Sequence, residues 1–143
     1  MELCLGRQAL TVLEAVLQAA APEEGCALLL GSRDPWRVRR VWPCLNVWEP
    51  AVERLCRFAL DPREQLLAQK WARARGLTVL GSAHSHPHSE PVPSALDQSL
   101  AFAPTLMLIL GQAVPPAAEP RSLACWWLPE HDSPRRLAWR MVD

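Results

Sequence analysis

Leu77-Thr78-Val79-Leu80-Gly81-Ser82-Ala83-His84-Ser85-His86-Pro87, continuing through His88-Ser89-Glu90-Pro91-Val92-Pro93 to Ser94-Ala95-Leu96-Asp97, is the stretch on which the fold turns. Its first seven residues are apolar or small, which predicts a strand ending on His84, and Pro87 stops the element that carries the histidines. Residues i and i+2 of a strand share a face, so His84 and His86 point the same way. Ser94 then opens a new helix, expected to reach about residue 103, with Ser94 and Asp97 at i, i+3 as an N-cap and capping-box-like pair. Three of the chain's four histidines lie in this window.

Two imidazoles alone are a weak sign of a metal. With the Asp97 carboxylate they become a three-ligand set that leaves a fourth tetrahedral position for water, the arrangement of a catalytic zinc rather than a structural one. Asp97 therefore has two compatible readings, cap partner and ligand. His88 reads as a solvent-facing loop residue near enough to touch a substrate, and His131 and Asp132 read as a surface turn.

Working outward, Arg7, Thr11, Glu14 and Gln18 repeat at helical spacing while Leu10, Leu13, Val16 and Leu17 fill the other face, predicting an amphipathic helix over 7–20. Cys26-Ala27-Leu28-Leu29-Leu30-Gly31 reads as a strand buried on both faces. Residues 36–42 predict another strand, with a bulge at Arg39-Arg40 where the alternation slips. Residues 43–54 read as a surface loop and 56–60 as a short strand. A helix follows, with Asp61 as N-cap, Pro62 at the first position, Glu64 completing a capping box and Gly76 as terminator, burying Leu67, Trp71 and Ala74. Residues 105–111 predict a buried strand, 113–120 a stiff exposed loop, and 122–128 and 136–142 two closing strands. Strands and helices interleave without regular βαβ alternation, so the expected class is α/β in the α+β sense, a mixed sheet flanked by helices.

The 143 residues suit one domain spanning 1–143. Fifteen basic and fifteen acidic residues balance, which argues against a nucleic-acid or membrane partner and leaves a homodimer open. Trp71 falls on a helix core stripe and Trp126, Trp127 and Trp139 on apolar strands, which argues against a stacking platform. Five scattered cysteines without a C-x-x-C pair read as reduced thiols of a cytoplasmic protein, and Cys26 as a core residue with no histidine left to activate it. Glu2 and Glu14 argue against a signal peptide.

His84-Ser85-His86-Pro87, six residues, Ser94, two residues and Asp97 together resemble the signature of the JAMM, or MPN-plus, metalloproteases. Upstream, Glu24-Gly25-Cys26-Ala27-Leu28-Leu29-Leu30-Gly31 is similar to that family's glutamate and cysteine-bearing strand, with Ala27 in place of the usual glycine. The likeness covers roughly residues 7 to 128. It implies a cytidine-deaminase-like MPN fold, with Zn2+ held by His84, His86 and Asp97. Glu24 would be the base for a zinc-bound water, with Glu23 as its rival, and Ser94 the donor to the oxyanion. Only seven residues separate Asp97 from Thr105, which resembles the compact prokaryotic branch. The implied substrate is the C-terminal tail of a ubiquitin-like or sulfur-carrier protein, gripped along a sheet edge and cut after Gly-Gly at a peptide or isopeptide bond. The alternative is a non-catalytic MPN-type scaffold, a class that characteristically lacks the ligands.

Overall fold

A computed structural model describes residues 1–113 and 121–143. Most of the loop expected over 113–120 thus lies outside the described residues. The elements run β1 (Glu2–Gly6), α1 (Arg7–Ala19), β2 (Cys26–Arg33), β3 (Trp36–Cys44), a 3-10 turn (Ala51–Leu55), α2 (Pro62–Arg73), β4 (Thr78–Ser85), α3 (Ala95–Leu100), β5 (Thr105–Gln112), β6 (Arg121–Leu128) and β7 (Arg135–Val142). The sheet is mixed, in the order β1-β3-β2-β4-β5-β6-β7, and it closes because β1 pairs with both β3 and β7. β4 and β5 are parallel, as are both β1 pairings, and the other neighbours are antiparallel.

Residues from all seven strands, Leu3, Leu29, Val38, Ala83, Leu108, Cys125 and Leu137 among them, join Ala9, Leu13 and Leu17 of α1 in one core. Burying each such leucine contributes on the order of 1.5–3 kcal/mol. The opposite face of β2 packs Leu28 and Leu30 against Ala68 and Ala72 of α2. Met107 and Ile109 of β5 form a third cluster beside Ala101 and Ala103. The alternation along β2 thus feeds two different cores from one strand. The predicted bulge is present: Leu30 pairs with Arg40 and Gly31 with Val38, leaving Arg39 as the extra residue.

Five points depart from expectation. β1 was not foreseen in the lead-in to α1. Residues 56–60 form no strand: Cys56 closes the 3-10 turn, and 57–60 pair with no neighbour in a ladder. In α2, Leu67 and Ala74 are exposed and Trp71 half-buried, while Ala68 and Ala72 face the sheet, because small side chains let the helix approach β2 closely. Asp61 does cap α2, accepting from Arg63 N–H at 2.9 Å, but Glu64 completes no box; its carboxylate accepts from Trp42 Nε1 instead. α3 also stops at Leu100 rather than near 103, with Ala101 already extended at ψ 142°. Among the described residues, no helix is long and apolar enough to cross a membrane.

Candidate metal centre

β2 and β4 run antiparallel with Cys26 opposite His84, and continuing that register by two residues sets Glu24 opposite His86. Residues sixty positions apart in the chain thus meet at one end of the sheet. The junction is held by a reciprocal pair of bonds: Gly25 N–H donates to Ser85 Oγ at 2.8 Å, and Ser85 N–H donates to the Gly25 carbonyl at 3.1 Å. His86 leaves the strand end but stays anchored, its N–H donating to the Leu110 carbonyl of β5 at 2.8 Å.

The loop that follows is drawn tightly over β5. Gln112 N–H donates to the Ser89 carbonyl at 2.8 Å, and Trp126 Nε1 donates to the Pro91 carbonyl at 2.9 Å. At Gly111 a Cβ would stand 2.6 Å from Pro91 N and 2.8 Å from Ser89 O, so the position has no room for a side chain. The same loop aims the Glu90 carbonyl at His86 Nδ1, 2.8 Å away. A carbonyl only accepts, so Nδ1 carries the proton, and in the neutral ring Nε2 presents its lone pair to the site.

α3 supplies the carboxylate. Its capping box is complete: Ser94 Oγ accepts from Asp97 N–H, and Asp97 Oδ2 accepts from Ser94 N–H. That same Oδ2 lies 3.0 Å from His84 Nε2 and 3.2 Å from His86 Nε2, and the two Nε2 atoms are 3.1 Å apart. Cap partner and cluster member are therefore one residue. With His86 neutral, the lone pair of its Nε2 faces a carboxylate oxygen, a contact that a proton on Nε2 or a cation at the centre of the triangle relieves. Donors bound at zinc-type distances of about 2.0–2.1 Å in a tetrahedron stand roughly 3.3 Å apart, close to the spacing seen.

Glu24 completes the group. One ligand atom from each of Glu24, His84, His86 and Asp97 lies within 4.8 Å of the others, and all four residues are buried. Glu24 Oε1 has no hydrogen-bond partner in the protein. Burial pushes the Glu24 carboxyl up to about 7, a rise that the His86 charge opposes and that of Asp97 reinforces. Burial pushes His84 down and keeps it neutral. For His86 burial acts the same way but is outweighed by the Asp97 and Glu90 bonds, so it is raised. Burial works to raise Asp97, yet the bonds from both histidines hold it well below the usual carboxylate range. Two neighbouring carboxylates thus differ sharply in proton affinity, a pattern associated with divided acid–base roles.

All five residues singled out by the sequence come together here, with Ser94 exposed at the rim and the other four inside. Glu23 is half-buried and outside the cluster, and His88 and His131 are exposed. Sequence reasoning missed Ser85, which joins the two halves, and Phe58, whose ring stacks on His84 at 4.3 Å. Neither has a spacing signal, since both act through contacts made only in the fold. From Asp97 a groove of about 510 Å3 runs between α2 and the segment after α3, lined by Trp48, Phe58, Leu60, Leu96, Phe102 and Met107.

The comparisons with known proteins agree with this geometry. The chain is 35% identical over 89 residues to the desampylase of Haloferax volcanii, covering 62% of each sequence. It is 39% identical over 77 residues to a probable TtuB-protein conjugate cleaving protease of Thermus thermophilus, covering 54% of this chain and 48% of that one. The matches thus span about half to three fifths of the length of these curated relatives. A solved structure of a protein from Desulfitobacterium hafniense superposes with a TM-score of 0.83 at 32% identity, over 100% of this chain and 94% of that one. With the family profile described as prokaryotic homologs of the JAB domain matching residues 7–129, the chain belongs to that family.

Proposed function

We propose that the protein is a zinc-dependent metallopeptidase that hydrolyses a peptide or isopeptide bond after the C-terminal Gly-Gly of a ubiquitin-like or sulfur-carrier protein. The observation that carries this reading is the buried cluster of Glu24, His84, His86 and Asp97, whose donor set suits a divalent borderline cation. The names of the two relatives, one of them a conjugate-cleaving protease, support the substrate class. A scaffold gains nothing from burying four titratable groups, an arrangement costly in free energy unless something binds there.

His84, His86 and Asp97 are the residues that would hold the ion. When bound, zinc would supply Lewis acidity toward a scissile carbonyl and bring the pKa of water to about 7. The work of the chain's own groups then follows. Glu24, with Oε1 free and its carboxyl poised near neutrality, takes the proton of the attacking water and gives it to the leaving amine as the C–N bond breaks. Its products are a carrier ending in a free carboxylate and an amine. Ser94 Oγ uses a lone pair to cap α3, which leaves its O–H to donate to the developing oxyanion.

The groove beside the site fits an extended tail. Phe58 and Leu60 line it, and their main-chain N–H and C=O groups have no backbone partner among the described residues, whereas Ala59 between them is bonded inward to Val47 N–H. Alternate free peptide groups are what an added strand pairs with. The test is incubation of zinc-loaded protein with carrier adducts joined through Gly-Gly, followed by intact mass, with Glu24→Gln as control. Intact adducts beside cleaved unrelated peptides would rule out the carrier as substrate.

A further inference from the structure

Asn46 sits in the loop between β3 and α2 and hydrogen-bonds to none of the four clustered side chains, yet every hydrogen-bonding position of its amide is used. Nδ2 donates to the Glu24 carbonyl at 3.0 Å and to the Arg57 carbonyl at 2.9 Å. Oδ1 accepts from Trp48 N–H at 3.1 Å and from Ala59 N–H at 3.2 Å. An asparagine amide offers two donor hydrogens and one oxygen with two lone pairs, so no capacity is left over.

The partners give this saturation its meaning. One is the peptide of Glu24 itself, whose N–H also donates to the Arg54 carbonyl at 2.8 Å, so the same loop grips the peptide groups on both sides of the Glu24 Cα. Arg54 is fixed in turn by its Nε bond to the Trp48 carbonyl at 2.7 Å. Two of the other three partners, Arg57 and Ala59, flank Phe58, which stacks on His84 and lines the groove. The Asn46 amide therefore joins the backbone of Glu24 to the groove wall through a single rigid plane.

We infer that Asn46 is a positioning residue: it sets the direction of the Glu24 carboxylate and ties it to the wall that holds the substrate. The inference rests on the reading of Glu24 as the base. An error of about 1 Å in such a group costs on the order of 100-fold in rate, so a clamp on its peptide matters even though Asn46 never meets the substrate.

The discriminating variant is Asn46→Asp, which keeps both acceptor bonds to Trp48 and Ala59 and loses both donor bonds. Asn46→Ala, which loses all four, serves as the reference. Turnover of a Gly-Gly conjugate is measured together with zinc affinity and with amide hydrogen exchange of the chelator-treated protein. A positioning role predicts that Asn46→Asp lowers kcat at least 10-fold with KM changed less than about 3-fold. It also predicts exchange at Glu24 at least 10-fold faster, Trp48 and Ala59 still protected, and zinc affinity unchanged because no ligand is touched. Wild-type kcat and wild-type Glu24 exchange in Asn46→Asp would overturn the inference, since Asn46 would then only brace the loop. Loss of zinc affinity in that variant would overturn it as well. Should the wild type cleave no conjugate, the proposed function fails, and the exchange and zinc measurements still decide the role of Asn46.

Discussion

Ser94 and Asp97 are bonded to each other in both directions: Ser94 Oγ accepts from Asp97 N–H at 3.0 Å, and Asp97 Oδ2 accepts from Ser94 N–H at 2.9 Å. The second bond ends on the oxygen that meets both imidazoles, so the first turn of α3 orients the carboxylate in the cluster. Replacing Ser94 separates cap from donor. Ser94→Ala should cost about 1 kcal/mol of stability, and Ser94→Gly only a few tenths. Both should lower kcat by about 100- to 1000-fold through loss of an oxyanion donor. Thermal melts beside steady-state kinetics check this, and a kcat that tracks stability would leave Ser94 as a cap alone.

Glu24 makes a prediction about pH. Its carboxyl is raised from an ordinary 4.5 to about 7, chiefly by burial, so the fold favours the protonated form. The stability it contributes is full below about 4.5 and is lost as pH rises through about 7. In chelator-treated protein, Glu24→Gln should match the wild type near pH 4 and exceed it by up to about 3 kcal/mol near pH 8. Urea melts across that range measure the difference, and a difference independent of pH would contradict the burial of an ionisable Glu24.

Much of this site was legible in the sequence because its parts are local. The His84 and His86 pair is read from strand period and Ser94 and Asp97 from helix spacing, whereas Glu24 is implied only by the likeness of its strand to the JAMM pattern. What escaped depends on contacts between distant segments. β1 is five residues whose partners in β3 and β7 lie some 30 and 130 positions away, so nothing nearby marks it as a strand. Residues 56–60 have strand-like composition, but the Asn46 side chain takes Ala59 N–H where a ladder would need it. The face of α2 was misjudged because size argued for Leu67 and Trp71, whereas close approach to Leu28 and Leu30 selects Ala68 and Ala72.

The loop over β5 is expected to be intolerant at Gly111. The atoms a Cβ would meet are backbone of Ser89 and Pro91, which flank the residue whose carbonyl holds His86 Nδ1. Gly111→Ala should destabilise the fold by about 1–3 kcal/mol and weaken zinc binding at least 10-fold by shifting that carbonyl. Denaturant melts and a zinc competition assay test both effects, and an unchanged zinc affinity would show the Glu90 contact to be dispensable.

The cysteines should behave as packing residues. Burial, the main cause in each case, pushes Cys26 and Cys125 up to about 12 and Cys44 up to about 11, whereas Cys56 is exposed. Thiolate is then scarce at the buried positions. At pH 8 iodoacetamide should label Cys56 first and reach Cys26 and Cys125 only after denaturation, as followed by peptide mass spectrometry. Labelling of Cys26 in the folded protein at the rate of Cys56 would mean that the β2 end of the site is open.

The most direct test of the proposed metal centre, in which Glu24 is proposed as base and not as ligand, is native mass spectrometry of the zinc-reconstituted wild type and single variants. The expected result is one zinc per chain in the wild type and in Glu24→Gln, and none in His84→Ala or Asp97→Ala. A folded wild type that takes up no zinc, or a Glu24→Gln variant that loses it, would contradict the account.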